Sequence, residues 1–264
     1  MTEGPDTALR DRKEKKAAGR RGIRLWAVAV WLIVWEIAAR LIHQEIFLVS
    51  PVKVIVRLSE MVREARFWQS VLNSSLRITL GFFLGLFCGI AMAALASRYR
   101  RLKELFAPFI LVIKTVPVAS FIILALIFFS SRNLAVLISF MMTLPVIYTN
   151  LMEGTAASDV KLAEMAKVFR MPKLRVFRYI TLPQVYPYLV SACSVACGLA
   201  WKSGIAAEVI GIPARSIGER LQQAKVYLNT KDLLAWTLVI VIVSLAFEKI
   251  LHLLLVLIRK LLIA

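Results

Sequence analysis

The amino-acid sequence predicts an all-α membrane protein with six transmembrane helices and a structured cytoplasmic loop. Apolar residues make up 59% of the 264 residues, whereas soluble globular domains contain roughly 45–50%. They form six predominantly apolar stretches, each close to the ~20 residues that span the hydrocarbon core of a bilayer. The formal net charge is +18. In a soluble domain this charge would suggest nucleic-acid binding. In a membrane protein it is typical of basic cytoplasmic segments. We therefore expect no nucleic-acid partner.

Residues 1–24 form a basic tail ahead of the first span. The tail contains eight Lys or Arg residues without apolar periodicity, so we expect a cytoplasmic segment that has no packed core. The following apolar run contains Glu36 and Arg40 and lacks a small-residue cleavage site, which argues against a signal peptide. Residues 25–264 then form one membrane domain, with predicted spans at 25–42, 72–96, 105–130, 133–152, 184–208 and 233–258.

The distribution of Lys and Arg predicts a multi-pass protein of the plasma membrane with both termini in the cytoplasm. With six spans, the tail, the loop 153–183 and the C-terminal end share one side of the membrane. That side carries roughly twice as many basic residues as the other, the bias typical of a cytoplasmic face. On the other side, 51–66 and 214–226 have apolar residues at helical spacing, which predicts amphipathic helices at the membrane surface.

Small residues recur every four positions in the second predicted span, at Gly81, Gly85, Gly89 and Ala93. Such a stripe lets another helix approach closely. We expect packing within the subunit, and a seam between two copies is the alternative.

The loop 153–183 is the longest predicted cytoplasmic connection, and its residues predict ordered structure. Ser158 can cap a helix over 159–171. Pro172 breaks that helix, because proline has no backbone N–H and its ring clashes with the preceding turn.

A second short helix is predicted over 173–180, ending before Leu182 and Pro183. An amphipathic and basic helix–break–helix segment suits docking into a groove on a partner protein. The residues alone are equally compatible with a solvated loop that touches lipid.

Lys114 is predicted to lie near the middle of the third span, about 13 Å from its start at 1.5 Å per residue. Pro117 and Pro108 flank it and predict a kinked helix beside a cavity. A charge at this depth costs several kcal/mol unless it faces water or a partner. Lys114 therefore either lines a path that attracts anions, forms an internal ion pair, or extends its ammonium group to the interface.

Two further ionisable residues lie near the outer end of the fifth span. Lys202 follows Trp201, which resembles an interfacial anchor, and could either line the path or extend outward. Glu208 is predicted to form part of an outer gate or a structural ion pair. We count Lys202 and Glu208, with Lys114 and Pro117, as candidate residues of a translocation path.

The loop sequence resembles the EAA motif of ABC importer permeases. Glu164-Met165-Ala166 and Ile180-Thr181-Leu182-Pro183 have the spacing of that motif. Met165 replaces the usual middle Ala, and Arg170 replaces the usual Gly, so that either Arg170 or Pro172 must turn the chain. The segments Lys114–Pro117 and Gly198–Lys202, with Glu208, are similar to the branch that contains nitrate, aliphatic sulfonate and taurine permeases.

This resemblance implies the permease subunit of a type I, binding-protein-dependent ABC importer for a small anionic solute. Its loop would form the coupling helix that docks on the ATPase, through Glu164, Met165, Ala166, Phe169, Arg170, Leu182 and Pro183. The implied partners are two ATPase subunits, a second permease copy and an extracytoplasmic solute-binding protein. ATP would be used by the partner subunit, and this chain itself would bind no cofactor or metal.

The sequence contains no constellation that indicates an enzyme. The motifs H-E-x-x-H, G-x-S-x-G and G-x-x-x-x-G-K-[ST] are all absent, so the chain is not expected to hydrolyse ATP itself. Two rival functions are an ion-coupled secondary transporter, which usually has more spans or inverted repeats, and a membrane assembly factor without transport activity.

Overall fold

The structure is a computed structural model that describes residues 25–42, 44 and 46–263, and every regular element within these residues is helical. The predicted basic tail 1–24 lies outside the described residues. In chain order the helices are α1 (Leu25–Ile42), α2 (Pro51–Met61), α3 (Ala65–Arg98), α4 (Arg100–Thr115), α5 (Val118–Phe128), α6 (Ser131–Ala156), α7 (Val160–Val168), α8 (Lys173–Val176), a π-helical turn (Phe177–Thr181), α9 (Leu182–Gly211), α10 (Ile217–Val226) and α11 (Thr230–Ile263).

Several of these helices are long and apolar enough to cross a membrane. Four described segments meet this condition singly, at Ala65–Arg98, Ser131–Ala156, Lys173–Gly211 and Thr230–Lys260. The pair α4 and α5 adds a fifth if its two halves form one span. The 18-residue α1 has the bounds of the first predicted stretch. The fold is therefore that of a multi-pass helical membrane protein.

The third predicted span, 105–130, is not one kinked helix. It divides into α4 and α5, whose axes differ by 105°. Val116 is extended, with φ −70° and ψ 128°, because the residue before a proline is driven out of the helical region. Pro117 then starts the new helix. Within α5, Ile122 and Ala125 are buried against Leu134, Ile138 and Ala207, and this packing fixes the direction of the second half.

The centre of the described bundle is α6, which packs against α3 on one side and α9 on the other. The glycine stripe of α3 faces it. A Cβ atom at Gly81 would stand 2.3 Å from the carbonyl oxygen of Val136, and one at Gly85 would stand 2.7 Å from Cβ of Thr143. These distances allow no side chain larger than hydrogen. The stripe thus packs within the subunit, as expected from the sequence.

The two predicted amphipathic segments form helices shorter than expected. In α2, Val54 and Met61 are buried while Val52 and Ile55 stay exposed. In α10, Ile217, Leu221 and Ala224 form the buried face, as their spacing predicts.

An ion pair joins α2 to α11. Arg57 donates through Nε to Asp232 Oδ1 at 2.5 Å and through Nη1 to Glu60. These carboxylates raise the pKa of Arg57 above its ordinary value, chiefly through the hydrogen bond to Asp232. The guanidinium therefore remains charged, and its hydrogen bonds to Asp232 tie α2 to the start of α11.

Candidate functional site

The helix in the 153–183 loop, α7, is capped by Asp159 rather than by Ser158. The carboxylate of Asp159 accepts a hydrogen bond from the backbone N–H of Lys161 at 2.8 Å, which makes Asp159 the N-cap of α7. Its own N–H donates to Gln184 Oε1 at 2.7 Å, which attaches α7 to the first turn of α9. The hydroxyl of Ser158 instead donates to the carbonyl of Gly154. The predicted helix over 159–171 is thus present but ends earlier, at Val168, and its cap is the residue after Ser158, since an aspartate caps as well as a serine.

The motif residues on α7 point in different directions. Ala166 is 3% exposed and faces the protein, whereas Met165 and Phe169 are exposed. Glu164 and Arg170 are exposed as well. A partner that covers this helix would therefore contact Glu164, Met165, Phe169 and Arg170, while Ala166 supports the helix from below.

Arg170 itself makes the turn that follows α7. Its φ is +47°, in the left-handed region. Its N–H donates to the carbonyl of Lys167 at 3.1 Å, and the N–H of Met171 donates to that of Ala166 at 2.9 Å. This pair of bonds is the Schellman arrangement, which usually has glycine at the left-handed position. Pro172 instead caps the next helix.

The second predicted loop helix does not end before Leu182 and Pro183. The chain passes from α8 through the π-helical turn Phe177–Thr181 directly into α9, and the two residues are half-buried in its first turn. A proline is tolerated there, because its missing N–H would have no intrahelical partner. The predicted break at Leu182-Pro183 is therefore wrong, and the loop connects rigidly to a membrane helix.

The end of the bundle that carries this loop, called the loop end below, presents large apolar side chains to the outside. Val160 is 67% exposed, Val168 and Leu174 are each 79% exposed, and Phe169 is 72% exposed. Lys167 and Lys173 lie among them. Monomeric proteins rarely expose clustered apolar side chains of this size, which mark interaction sites.

Lys114 lies in the last turn of α4, next to the bend between α4 and α5. Its side chain is exposed, as is Pro117 at the bend. Within the part of the chain that the structure describes, Lys114 makes no ion pair. An internal ion pair is thus not the arrangement found for this residue.

Lys202 and Trp201 are neighbours in sequence but face opposite environments. Lys202 is exposed on α9. Trp201 is 1% exposed, with its ring 6.1 Å from that of Phe247 on α11. The interpretation of Trp201 as an interfacial anchor is therefore wrong, because its ring packs in the interior of the bundle against α11 rather than at the surface.

Glu208 forms the centre of a buried polar cluster at the end opposite the loop. Its side chain is fully buried and pairs with Arg77 at 3.4 Å. The hydroxyl of Ser74 donates to Glu208 Oε2 at 2.6 Å, and the same hydroxyl accepts from the N–H of Ile217 at 2.9 Å. The N–H of Gly218 also donates to Glu208 at 3.3 Å. The cluster therefore joins α3, α9 and α10.

The connection from α9 to α10 is strained next to this cluster. Ile212 and Arg215 have φ values of +47° and +57°, and the left-handed conformation costs roughly 1–2 kcal/mol for a residue with a side chain. The N–H of Ile212 donates to the carbonyl of Glu208 at 2.8 Å. Glu208 thus accepts hydrogen bonds through its carboxylate from Ser74, Arg77 and Gly218 and through its carbonyl from Ile212, which hold both the carboxylate and the turn in place.

Arg77 and Ser74 were not among the candidate site residues. The available signal was Arg77, an ionisable residue inside a predicted span, for which a partner is expected.

Another ionisable residue in a membrane helix, Glu248 of α11, accepts a hydrogen bond from Ser194 of α9. Glu248, Ser194 and His252 line a cavity of about 400 Å³ between the two helices. Among the described residues no group of His, Cys, Asp or Glu side chains could hold a metal ion.

The sequence is similar to known membrane components of transport systems. The profile of a family described as binding-protein-dependent transport system inner membrane component matches residues 81–263. The putative aliphatic sulfonates transport permease protein SsuC of Bacillus subtilis is 25% identical over 241 residues, covering 90% of this chain and 86% of that protein. The taurine transport system permease protein TauC of Escherichia coli is 25% identical over 234 residues, covering 86% of this chain and 84% of that protein.

A solved structure shares the fold. A chain in the crystal structure of an amino acid ABC transporter with histidines superposes with a TM-score of 0.59 at 17% identity. The superposition covers 78% of this chain and 96% of that chain. The matched architecture is therefore nearly the whole of the solved chain.

Proposed function

The chain belongs to the family of binding-protein-dependent transport system inner membrane components, and we propose that it is the permease subunit of an ATP-driven importer of a small anionic solute. The observation that carries the proposal is the family match over residues 81–263. This range contains the 153–183 loop and the four candidate path residues, Lys114, Pro117, Lys202 and Glu208.

The proposed membrane topology has six spans in one domain, 25–264, with the basic tail 1–24 and the C-terminus in the cytoplasm. The sixth span is α1, whose 18 residues extend about 27 Å at 1.5 Å per residue, close to the ~30 Å of the hydrocarbon core. The pair α4 and α5 serves as one broken span. The larger number of basic residues at the loop end supports the orientation.

The proposed partner at the loop is an ATPase subunit. Exposed Phe169, Val168 and Leu174 offer apolar anchors, and Glu164 and Arg170 offer charges beside them. The rigid connection through Leu182 and Pro183 into α9 supports a coupling role, because a helix passes on a displacement that a flexible loop would absorb. The chain has no phosphate-binding loop, so ATP would be bound and hydrolysed by that partner.

Two permease copies, each with one ATPase, would frame a central path, and an extracytoplasmic binding protein would deliver the solute. We propose a homodimer. The names of the relatives, which refer to sulfonates and taurine, support an anionic group on the solute. Exposed Lys114 and Lys202 supply fixed positive charge for such a path, since a cation in a low-dielectric channel attracts anions and repels cations.

The proposal is tested by uptake into cells that lack or express the chain together with its ATPase and binding protein. The probes are radiolabelled taurine, ethanesulfonate and nitrate, with choline as the cationic control. We expect uptake of at least one of the three anion-bearing probes and none of choline, and uptake should persist when a protonophore collapses ion gradients while ATP is maintained. Uptake that stops with the protonophore would indicate a secondary transporter, and no uptake of any probe would contradict the anionic path.

A further inference from the structure

A groove separates α3 from α9 at the loop end of the bundle. At the opposite end the two helices are joined through Arg77 and Glu208. At the loop end they enclose about 480 Å³, a volume within the roughly 300–1,000 Å³ typical of ligand pockets. Leu151 and Thr155 of α6 form the floor, and the π-helical turn Phe177–Thr181 contributes to the wall.

The walls of this groove are aliphatic. The residues are Ile90, Ala93 and Ala94 of α3, with Leu182, Val185 and Leu189 of α9. Such a surface offers ordered water few partners, and a water needs two to four polar partners to be held. The groove therefore suits an apolar occupant, and in a membrane helix bundle the abundant apolar molecule is a lipid chain.

One buried polar group in the groove has no partner. Tyr186 is 9% exposed and lines the groove, and its hydroxyl makes no hydrogen bond within the described residues. Leaving a buried donor unsatisfied costs more than an ordinary hydrogen bond gains, so an acceptor supplied by a ligand would be favourable here. The guanidinium of Arg259 lies 5.6 Å from the centre of the Tyr186 ring, so it brings a positive charge next to this lining residue without itself lining the groove.

A second arginine lies at the rim. Arg98 is the last residue of α3, lines the groove and is exposed. Its guanidinium contacts the hydroxyl of Tyr99 at 3.3 Å, and no carboxylate in the described part of the chain pairs with it. Arg98 and Arg259 thus place two positive charges beside an apolar groove at one end of the membrane helices.

We propose that this groove is a binding site for one anionic phospholipid of the leaflet at the loop end. One acyl chain would lie along the aliphatic walls, and the phosphate would bind Arg98 and Arg259. Tyr186 would donate to an oxygen of the headgroup region. Basic pockets between membrane helices recognise anionic headgroups in this way. The positive charges of Arg98 at the rim and of Arg259 beside Tyr186 are complementary to a phosphate group, so an anionic lipid is the favoured occupant.

The site would connect the lipid to the loop. Phe177 and Thr181 lie in the π-helical turn between the loop and α9, and π-helical turns are frequent at functional sites because they are less regular than α-helix. A bound acyl chain would pack against both residues and hold this turn.

Native mass spectrometry of the purified full-length chain tests the site, with phosphatidylglycerol and phosphatidylethanolamine of identical acyl chains as probes. We expect about ten-fold tighter binding of phosphatidylglycerol, since a hydrogen bond to a charged group is worth about one decade or more in affinity. Arg98→Gln combined with Arg259→Gln should remove this preference. Tyr186→Phe should weaken both lipids several-fold, and Ala94→Trp should abolish the high-affinity site by filling the groove.

Matched controls keep the test specific. Two variants alter exposed residues outside the groove lining, Arg101→Gln on α4 and Ala91→Trp on α3. Both should bind the two lipids with the affinities of the parent chain. Inorganic phosphate should not compete with phosphatidylglycerol for the site. Equal affinity for the two lipids, or an Ala94→Trp variant that binds like Ala91→Trp, would overturn the proposal. A disulfide formed between cysteines at position 94 of two copies would overturn it as well, because a second chain would then cover the groove.

Discussion

The hydroxyl of Ser74 donates a hydrogen bond to the carboxylate of Glu208 at 2.6 Å, although the two residues are 134 positions apart in the chain. Ser74 also accepts from the N–H of Ile217, so one hydroxyl satisfies groups on two other helices. Arg77, one turn further along α3, pairs with the same carboxylate. The end of the bundle opposite the loop is therefore held by a cluster of polar contacts, whereas α6 is held to α9 by apolar packing together with one buried hydrogen bond, from Ser139 to the carbonyl of Ala200.

Replacing Ser74 by alanine should destabilise the protein by about 1–3 kcal/mol. The change leaves the N–H of Ile217 without its partner and removes one donor from buried Glu208, and unsatisfied buried groups carry a cost of this size. Ser75→Ala is the control, because the hydroxyl of Ser75 is buried without a hydrogen-bond partner. Thermal unfolding in detergent should show a lower melting temperature for Ser74→Ala alone. Equal melting temperatures would contradict the structural role of the cluster.

Gly81→Ala should disrupt the contact between α3 and α6. The new Cβ would stand 2.3 Å from the carbonyl oxygen of Val136, and overpacking of this kind costs about 1–3 kcal/mol. Gly198→Ala in α9 meets no atom within 4 Å and should be neutral or stabilising by up to about 1 kcal/mol, the difference in helix propensity. The melting temperature should fall for Gly81→Ala and stay equal to the parent's or rise for Gly198→Ala. A Gly198→Ala variant less stable than Gly81→Ala would show that α3 packs elsewhere.

Arg170→Gly should stabilise the turn after α7. Arg170 has a left-handed backbone, and a glycine at that position avoids roughly 1 kcal/mol of strain. The N–H of Met171, which donates to Ala166, should then exchange with solvent about five-fold more slowly, as about 1 kcal/mol predicts. Arg170→Val is the opposing control, because a β-branched residue disfavours this conformation, and it should exchange faster. No difference between Gly and Val would mean that the turn is not left-handed in solution.

Lys114→Met should reduce solute uptake without loss of the assembled complex. Lys114 is exposed beside the bend between α4 and α5 and has no ion pair in the described residues, so its removal leaves no buried charge behind. Lys114→Arg should retain part of the uptake because the charge is kept. Uptake and complex yield are measured in the same membranes. A fall in yield equal to the fall in uptake would point to a structural role, and unchanged uptake would remove Lys114 from the path.

Local sequence rules predicted the parts of the fold that depend on neighbouring residues. Periodicity located the amphipathic face of α10 at Ile217, Leu221 and Ala224, and small-residue spacing located the contact surface of α3. The sequence differs from the family motif at Arg170, and the structure has the turn after α7 at this residue. The sequence did not decide that Arg170 rather than Pro172 makes it, because a non-glycine residue adopts the left-handed region only when its surroundings compensate the strain.

The remaining features depend on contacts between distant segments. Pro117 predicts the break after Thr115, but the 105° angle of the bend depends on the packing of Ile122 against Leu134 and Ala207, which no pattern within 105–130 contains. The cap at Asp159 is reinforced by Gln184, 25 residues away. Trp201 and Lys202 were interpreted together because they are adjacent, although a helix directs them to different surroundings.

The coupling of this chain to ATP hydrolysis is tested most directly by uptake into proteoliposomes that contain the chain, its ATPase and its binding protein. The parent complex should take up solute only when ATP is supplied on the ATPase side. Glu164→Lys combined with Phe169→Ala should still insert in the membrane but lose the bound ATPase and the uptake. Tyr227→Ala, which removes another exposed aromatic side chain at the opposite end, should retain both. Uptake without ATP, or normal ATPase association and uptake in the double variant, would contradict the account.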